Sequence, residues 1–356
     1  MAHPPASHLQ SVQILRGLAA LAVVIGHLYQ VEWRFLGEGL TSPFLLHGFA
    51  GVDLFFVISG YVMVHVTRDY DHRAGTIGRF LYHRITRIYP PFWFFSAVML
   101  TALVFGPTIS DRELTSSYIW QSFLLVPQPQ LPLLPVGWTL IHEMYFYLVF
   151  AILLFLPRKL LMPGLALWMA GVAVGAALDL HLRSAVLGLI FHPLTFEFAL
   201  GAVIAYFRFS MPRWMGWAHV AAGLVLFSSA IFLRPAISIE NFPVFWDRLI
   251  VFGIPAALIV MGAINLEPRR QGRVITFFKN LGDWSYSLYL GHLIVLSAGA
   301  WLWAAVMPDM GLIDNGIMLV LLVIAAIIAA WLSYRLVEYP LLVWTRSAGR
   351  VLFPRK

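Results

Sequence analysis

Stretches of about twenty mostly apolar residues recur from one end of this chain to the other, and twenty residues is the length an α-helix needs to cross the hydrocarbon of a bilayer. They fall at 11–30, 44–66, 88–106, 138–156, 162–178, 186–207, 217–233, 248–265, 284–306 and 316–337. The chain is 60% hydrophobic and 12% charged, about half the charge of a soluble domain. The expectation is an all-α, polytopic integral membrane protein of about ten transmembrane helices.

The basic residues test that reading independently. If the N-terminus is inside, the inner segments and helix ends hold 19 of the 24 Lys and Arg. The outer segments hold only Arg34, Arg112, Arg183, Arg234 and Arg248. Such a bias is the positive-inside pattern, and an even helix number places both termini in the cytoplasm. The net charge of +7 then reads as basic loops against anionic membrane lipid, not as a nucleic-acid surface. The first apolar run has no charged n-region or small-residue cleavage site before it, so it is expected to stay as a helix. Cysteine is absent, which removes disulfides, thiolate metal sites and a cysteine nucleophile together. Segment 107–137 carries Pro127, Pro129, Pro132 and Pro135, and its Trp120–Val126 stretch is too short to span. The whole chain is expected to form one membrane domain, with a core of about 10–340 and a basic cytoplasmic tail at 341–356.

Ionisable side chains in hydrocarbon cost several kcal/mol, so each asks for an explanation. They are Arg16, His27, Asp53, His142, Glu143, Glu197 and His292. Arg16 and His27 lie 11 residues apart, hence on one helix face and about 16 Å apart along the axis. Arg84 and Arg87, in the segment leading to the third span, are at i, i+3, so a helical turn would put both guanidinium forks on one side, a geometry suited to phosphates. Ordinary positive-inside charge explains them equally well. Thr139 and Glu143 share a face. His142-Glu143 is not a zinc motif, because Phe146 stands where the second histidine would be. Asp53 has Gly60 on nearly its own face, Glu197 lies one turn before Gly201, and Tyr286, Tyr289 and His292 form a polar stripe. Any one of these also fits interhelical hydrogen bonding. No Gly-x-Ser-x-Gly elbow and no phosphate-cradling Gly-rich loop is present, which leaves a histidine general base as the economical chemistry.

Taken in order, Arg16-Gly-x-Ala…His27, Gly51-Val-Asp-Leu-Phe-Phe-Val-Ile-Ser-Gly60, Arg84-x-x-Arg87-Ile-x-Pro90, Trp138-Thr-Leu-x-x-Glu143, Glu197-Phe-x-x-Gly201 and Tyr286-x-x-Tyr289-Leu-x-His292 resemble the acyltransferase-3 family of bacterial membrane acyltransferases. The resemblance covers about residues 10–340 and is nearest in form to stand-alone exopolysaccharide O-acetyltransferases. It implies a multi-pass protein of the bacterial inner membrane that moves an acetyl group from cytoplasmic acyl-CoA to a hydroxyl of an exported glycan or its lipid-linked precursor. It also implies no permanently bound cofactor; acetyl-CoA is a co-substrate. His27 becomes the catalytic histidine, Arg16 its partner, and Arg84 and Arg87 the donor-side arginines.

On this reading CoA sets its phosphates on Arg84 and Arg87, and its pantetheine arm reaches His27. His27 takes the acceptor proton, and Glu143 or Asp53 fixes the imidazole tautomer. Tyr286 or Tyr289 holds the oxyanion; with His292, Trp138 and Glu197 they make up the expected substrate-binding set. A proton-coupled transporter of acyl or glycan groups, using the same buried charges as a relay, is the alternative.

Overall fold

The computed structural model describes residues 9–37, 39–105, 113–207, 209–233, 243–268, 272–307 and 311–353. Arg112, Arg208, Arg234, Arg269, Arg270, Arg355 and Lys356 of the charge pattern lie outside them. Among the described residues the regular structure is helical throughout, with no strand.

Every expected span falls on helix. Eight of the described helical segments have the length and hydropathy to cross a bilayer. The expected span at 138–156 is α5, Gly137–Leu153, which is apolar but has only 17 residues. The expected span at 217–233 is the 21-residue α9, Arg213–Leu233. The earlier helices are α1 (Gln10–Phe35), a 3₁₀ turn at Pro43–Ala50 running into α2 (Gly51–Val66), α3 (Ala74–Phe105) and the short α4 (Ser116–Phe123). Between α5 and α9 come α6 (Arg158–Ala177), α7 (Ala185–Ile190) and α8 (Thr195–Phe207). After α9 follow α10 (Phe245–Arg248), a π-helical turn at Leu249–Gly253, α11 (Ile254–Asn265), α12 (Arg273–Asp283), α13 (Ser285–Val306) and α14 (Leu312–Ser333). A second π-helical turn, Tyr334–Glu338, leads into α15 (Tyr339–Leu352).

Four boundaries differ from expectation. Helix α3 starts at Ala74, so Arg84 and Arg87 sit on a helix rather than in a loop, and its Pro90 and Pro91 do not break it. The 186–207 span is interrupted where Pro193, which lacks a backbone N–H, stands between α7 and α8. Residues 273–283 form an amphipathic helix where a loop was expected. The supposed basic tail is α15 for most of its length.

The chain divides into two compact units, Met1–Val66 with Leu200–Ser333, and Thr67–Ala199 with Tyr334–Lys356. In the first, Ala20, Val24, Leu28 and Val31 of α1 join Leu288, Leu296 and Ala300 of α13 and Met318, Leu322 and Ala326 of α14 in one buried cluster. Apolar burial gives little drive in lipid, so close backbone approach through small residues matters more. Gly48 lies against the Ala22 carbonyl and Gly51 against that of Ala19, so a Cβ at either would collide with the α1 backbone. Glu32 is fully buried and fully satisfied: the Leu40 and Thr41 backbone N–H groups donate to it at 2.7 and 2.8 Å, Asn315 Nδ2 at 3.1 Å, and the Thr41 hydroxyl as well. It ties the segment after α1 to α14.

The second unit is built on aromatic stacking. Phe146 of α5 stacks on Phe198 with ring centroids 4.3 Å apart, and on Phe150 and Trp168 at 5.8 and 5.6 Å. Phe80 of α3 tilts against Phe150 at 5.8 Å.

Candidate active site

The stripe Leu288, His292, Leu296, Ala300 runs along α13 at four-residue steps and faces the α1 cluster. His292 therefore occupies a core position and has no exposed surface. Its Nδ1 lies 3.1 Å from the Leu288 carbonyl oxygen, and its Nε2 lies 3.3 Å from His27 Nδ1 on α1. His27 Nδ1 is itself 2.8 Å from the Val23 carbonyl oxygen.

These contacts assign the tautomers. A carbonyl oxygen only accepts, so each neutral ring carries its proton on Nδ1. His292 Nε2 is then a bare acceptor, and the His27 Nδ1–H is shared between it and Val23. His27 Nε2 is left with its lone pair and no hydrogen bond among the described residues. Unlike His292, His27 keeps some exposed surface. The Phe49 ring meets it edge-on at 4.6 Å, with His292 edge-on at 4.8 Å on another side. An orphan imidazole nitrogen on a ring fixed from three directions has the geometry of a general base.

Asp53 does not touch this pair. Arg248 forks it, Nε to Oδ1 at 2.8 Å and Nη2 to Oδ2 at 2.9 Å, and both side chains are buried. The same Nη2 lies 3.4 Å from the Phe49 carbonyl oxygen. The ion pair thus anchors the 3₁₀ turn whose ring borders His27, which corrects the expectation that Asp53 orients the imidazole directly. Arg248, counted among the outer loop charges, is buried instead.

Glu143 belongs to the second unit, where it accepts the Tyr147 hydroxyl proton. Within the first unit the tautomer-fixing role falls to Val23 and His292, not to Asp53. The Tyr147 ring and that of Phe80 carry the Arg84 guanidinium, with its carbon 5.8 and 5.5 Å from their centroids. Arg84 Nε is buried and has no hydrogen-bond partner among the described residues. Arg87 is half-buried and lies close enough for charge repulsion with Arg84. Trp138 meets His142 edge-on at 5.8 Å, and His142 meets His192 at 4.9 Å. Glu197 is fully buried in the first turn of α8.

Of the remaining expected residues, Tyr289 is buried beside His292, with centroids 6.0 Å apart, and against Phe55 at 5.9 Å. Tyr286 is half-buried one turn before it. Arg16 stays on the continuous helix that carries His27. The structure brings together His27, His292 and Tyr289 in one unit, and Arg84, Arg87 and Glu143 in the other. Sequence reasoning passed over Phe49 and Arg248. Only Arg248 left a signal there, as a charge beside an apolar run. Among the described residues no group of three His, Asp or Glu is placed to hold a metal ion.

The helical membrane architecture agrees with comparisons against known proteins. The family model described as Acyltransferase domain matches residues 9–335, and the chain belongs to that family. It is an acyltransferase. It is similar to the exopolysaccharide production protein ExoZ of Rhizobium meliloti, 33% identical over 71% of this chain and 78% of that one. The acyltransferase MdmB of Streptomyces mycarofaciens is 27% identical over 95% of this chain and 92% of its own length. The O-acetyltransferase OatA of Staphylococcus aureus is 29% identical over 43% of this chain and 27% of its own. No solved structure gives a significant match.

Proposed function

We propose that this protein transfers an acetyl group from cytoplasmic acetyl-CoA to a hydroxyl of an exported glycan or its lipid-linked precursor at the bacterial inner membrane. The observation that carries the reading is the His27 lone pair: Nε2 is bare while Nδ1–H is fixed by Val23 and His292. The relatives' names, exopolysaccharide production for one and O-acetyl transfer for another, support a glycan hydroxyl as acceptor.

The acceptor O–H gives its proton to His27 Nε2 as its oxygen attacks the thioester carbonyl. The carbonyl carbon–sulfur bond then breaks, and the CoA thiolate leaves and takes that proton back. While His27 is charged, its Nδ1–H bonds the neutral His292 Nε2, a hydrogen bond stronger than in the resting state. Tyr289, one turn before His292, is the proposed oxyanion donor. Arg84 and Arg87 supply positive charge for the CoA phosphates, and Trp138, Glu197 and Tyr286 belong to the acceptor side.

His292 acts through His27 and is a positioning residue. His292→Leu is expected to lower kcat by about 10- to 100-fold, the worth of one hydrogen bond to a charged group. His292→Gln, whose side-chain oxygen can still accept, should keep most of the rate. Equal losses in both would show that packing, not hydrogen bonding, is what His292 provides.

The reading itself is tested by acetyl-CoA-dependent CoA release from the purified protein in lipid, with cell-envelope glycan as acceptor. Arg87→Ala, and Arg84→Lys, which keeps charge beneath the aromatic rings, should raise the donor KM by about tenfold or more with little change in kcat. An unchanged donor KM in both would remove these arginines from the donor site. Absence of any acetyl-CoA consumption by the wild type would remove acetyl-CoA.

A further inference from the structure

The 3₁₀ turn at Pro43–Ala50 carries His47 as well as Phe49, and the two rings meet different neighbours. Phe49 borders His27, and Gly48 beside it lies against the Ala22 carbonyl of α1. His47 packs instead among Phe44 of its own turn, Phe227 of α9 and Phe252 of the π-helical turn. Their centroids lie 5.5, 6.5 and 6.5 Å from that of the imidazole, and the last two rings meet it edge-on. All of these residues belong to the first unit. The π-helical turn begins one residue after Arg248, whose ion pair with Asp53 ties it to the start of α2.

His47 is 4% exposed. Its Nδ1 lies 2.8 Å from the Phe44 carbonyl oxygen, which only accepts, so the neutral ring holds its proton on Nδ1. Nε2 is then a bare acceptor, and it is buried without a hydrogen-bond partner among the described residues. Such an atom costs free energy, and within a bilayer little water is present to satisfy it. A phenylalanine would fill the space among these rings without that cost, so the acceptor atom itself asks for a ligand that donates to it. Two further features point the same way. π-helical turns are rare and recur at functional sites, and Phe44 is 55% exposed, so one wall of the aromatic cage stands at the molecular surface.

The depth of the site identifies the kind of ligand. His47 is the fifth residue of the apolar span Pro43–Val66 and Phe252 the eighth of the span Phe245–Asn265, so both lie within about two turns of a span's end. That is close to the headgroup level of the bilayer, and the charge pattern of the sequence places this end of both spans outside. We propose that His47 anchors an acceptor subsite for a lipid-linked sugar. One sugar hydroxyl donates to Nε2, the C–H face of the sugar ring packs on Phe44 and Phe227, and the lipid tail stays in the membrane. The proposal rests on the glycan-acetylation reading and narrows its acceptor to the lipid-linked form. A sugar held at His47 lies beside the turn whose Phe49 borders His27, which leaves another of its hydroxyls to be acetylated. His47 binds, and takes no proton in the transfer.

The test uses the purified protein in lipid nanodiscs, acetyl-CoA as donor, and two acceptor fractions from the cell envelope: lipid-linked glycan, and the same glycan released from its lipid by mild acid. The wild type should show an acceptor KM about tenfold lower, or less, for the lipid-linked fraction, because the tail confines it to the membrane. His47→Phe keeps an aromatic ring in the cage and lacks the acceptor atom. It should raise that KM about tenfold, leave the donor KM unchanged and melt at the wild-type temperature. His47→Gln, whose side-chain oxygen can accept, should stay within about threefold of the wild type. An unchanged acceptor KM in His47→Phe overturns the subsite, and so does an equal loss in His47→Phe and His47→Gln, which would mark packing of the imidazole. A much lower melting temperature for His47→Phe overturns it too, by showing that Nε2 is bonded within the fold. Equal KM values of the wild type for the two fractions overturn the lipid-linked assignment. Each of these outcomes leaves the acetyl-CoA reading standing, whereas no turnover with either fraction defeats that reading as well.

Discussion

Replacing His27 with Ala is expected to lower acetyl transfer by about 10²- to 10⁴-fold while donor affinity stays within error of the wild type. The range follows from what a positioned general base contributes. The split between rate and binding follows from the proposed donor site, because Arg84 and Arg87 are on α3, whereas the hydrogen bonds of His27 are to Val23 and His292. The substitution is also mild for the fold. His27 keeps some exposed surface, and its loss leaves Val23 with an ordinary helical carbonyl and His292 with its own bond to Leu288. Kinetics of CoA release and equilibrium binding of acetyl-CoA, measured on one preparation, decide the matter. A His27→Ala protein that binds and turns over normally removes the histidine from the mechanism. Loss of binding along with rate would place His27 in the donor site instead. Imidazole added to the inactive variant should restore part of the rate, since the cavity left beside Phe49 and His292 is bounded by the groups that oriented the original ring.

The helices were the most legible part of the molecule because hydrocarbon thickness fixes their length and leaves apolar runs as a direct record of it. What the runs do not record is helix that continues past the hydrocarbon. Residues 74–87 and 339–352 are polar enough to read as loop and tail, yet they are helical and pack on one another. His27 was legible because an ionisable group inside an apolar run has few structural excuses. Its partner was not. His292 sits in a tyrosine stripe that suggested a polar face, whereas the four-residue spacing with Leu288 and Leu296 puts it at a core position. The pairings of the buried carboxylates were also beyond reach, since they join residues far apart in the chain: Asp53 with Arg248, and Glu32 with Asn315. A sequence pattern marks which groups need partners, and only the fold shows which partner each one meets.

Asp53→Ala is expected to destabilise the protein by about 3–5 kcal/mol, the cost of leaving a buried charge without its counter-ion. Arg248 would keep its guanidinium in a buried site after losing both hydrogen bonds to the carboxylate it forks. Against a typical total of about 5–15 kcal/mol that is a large share, so the variant should accumulate poorly and unfold at a clearly lower temperature in detergent. Removing both charges separates stability from function. Asp53→Leu combined with Arg248→Met replaces the pair by apolar groups of similar volume, a change that is often neutral or stabilising. That double variant should recover most of the thermal stability. It should still transfer acetyl groups more slowly than the wild type, because the Arg248 hydrogen bond that holds the Phe49 backbone is gone and the ring bordering His27 is free to shift. A stable, fully active double variant would mean that the ion pair serves folding alone. A single Asp53→Ala variant as stable as the wild type would mean that the pair does not form. A stable but slow double variant would make Asp53 and Arg248 part of the apparatus that aims His27, which is where the sequence had placed Asp53, though through a different residue.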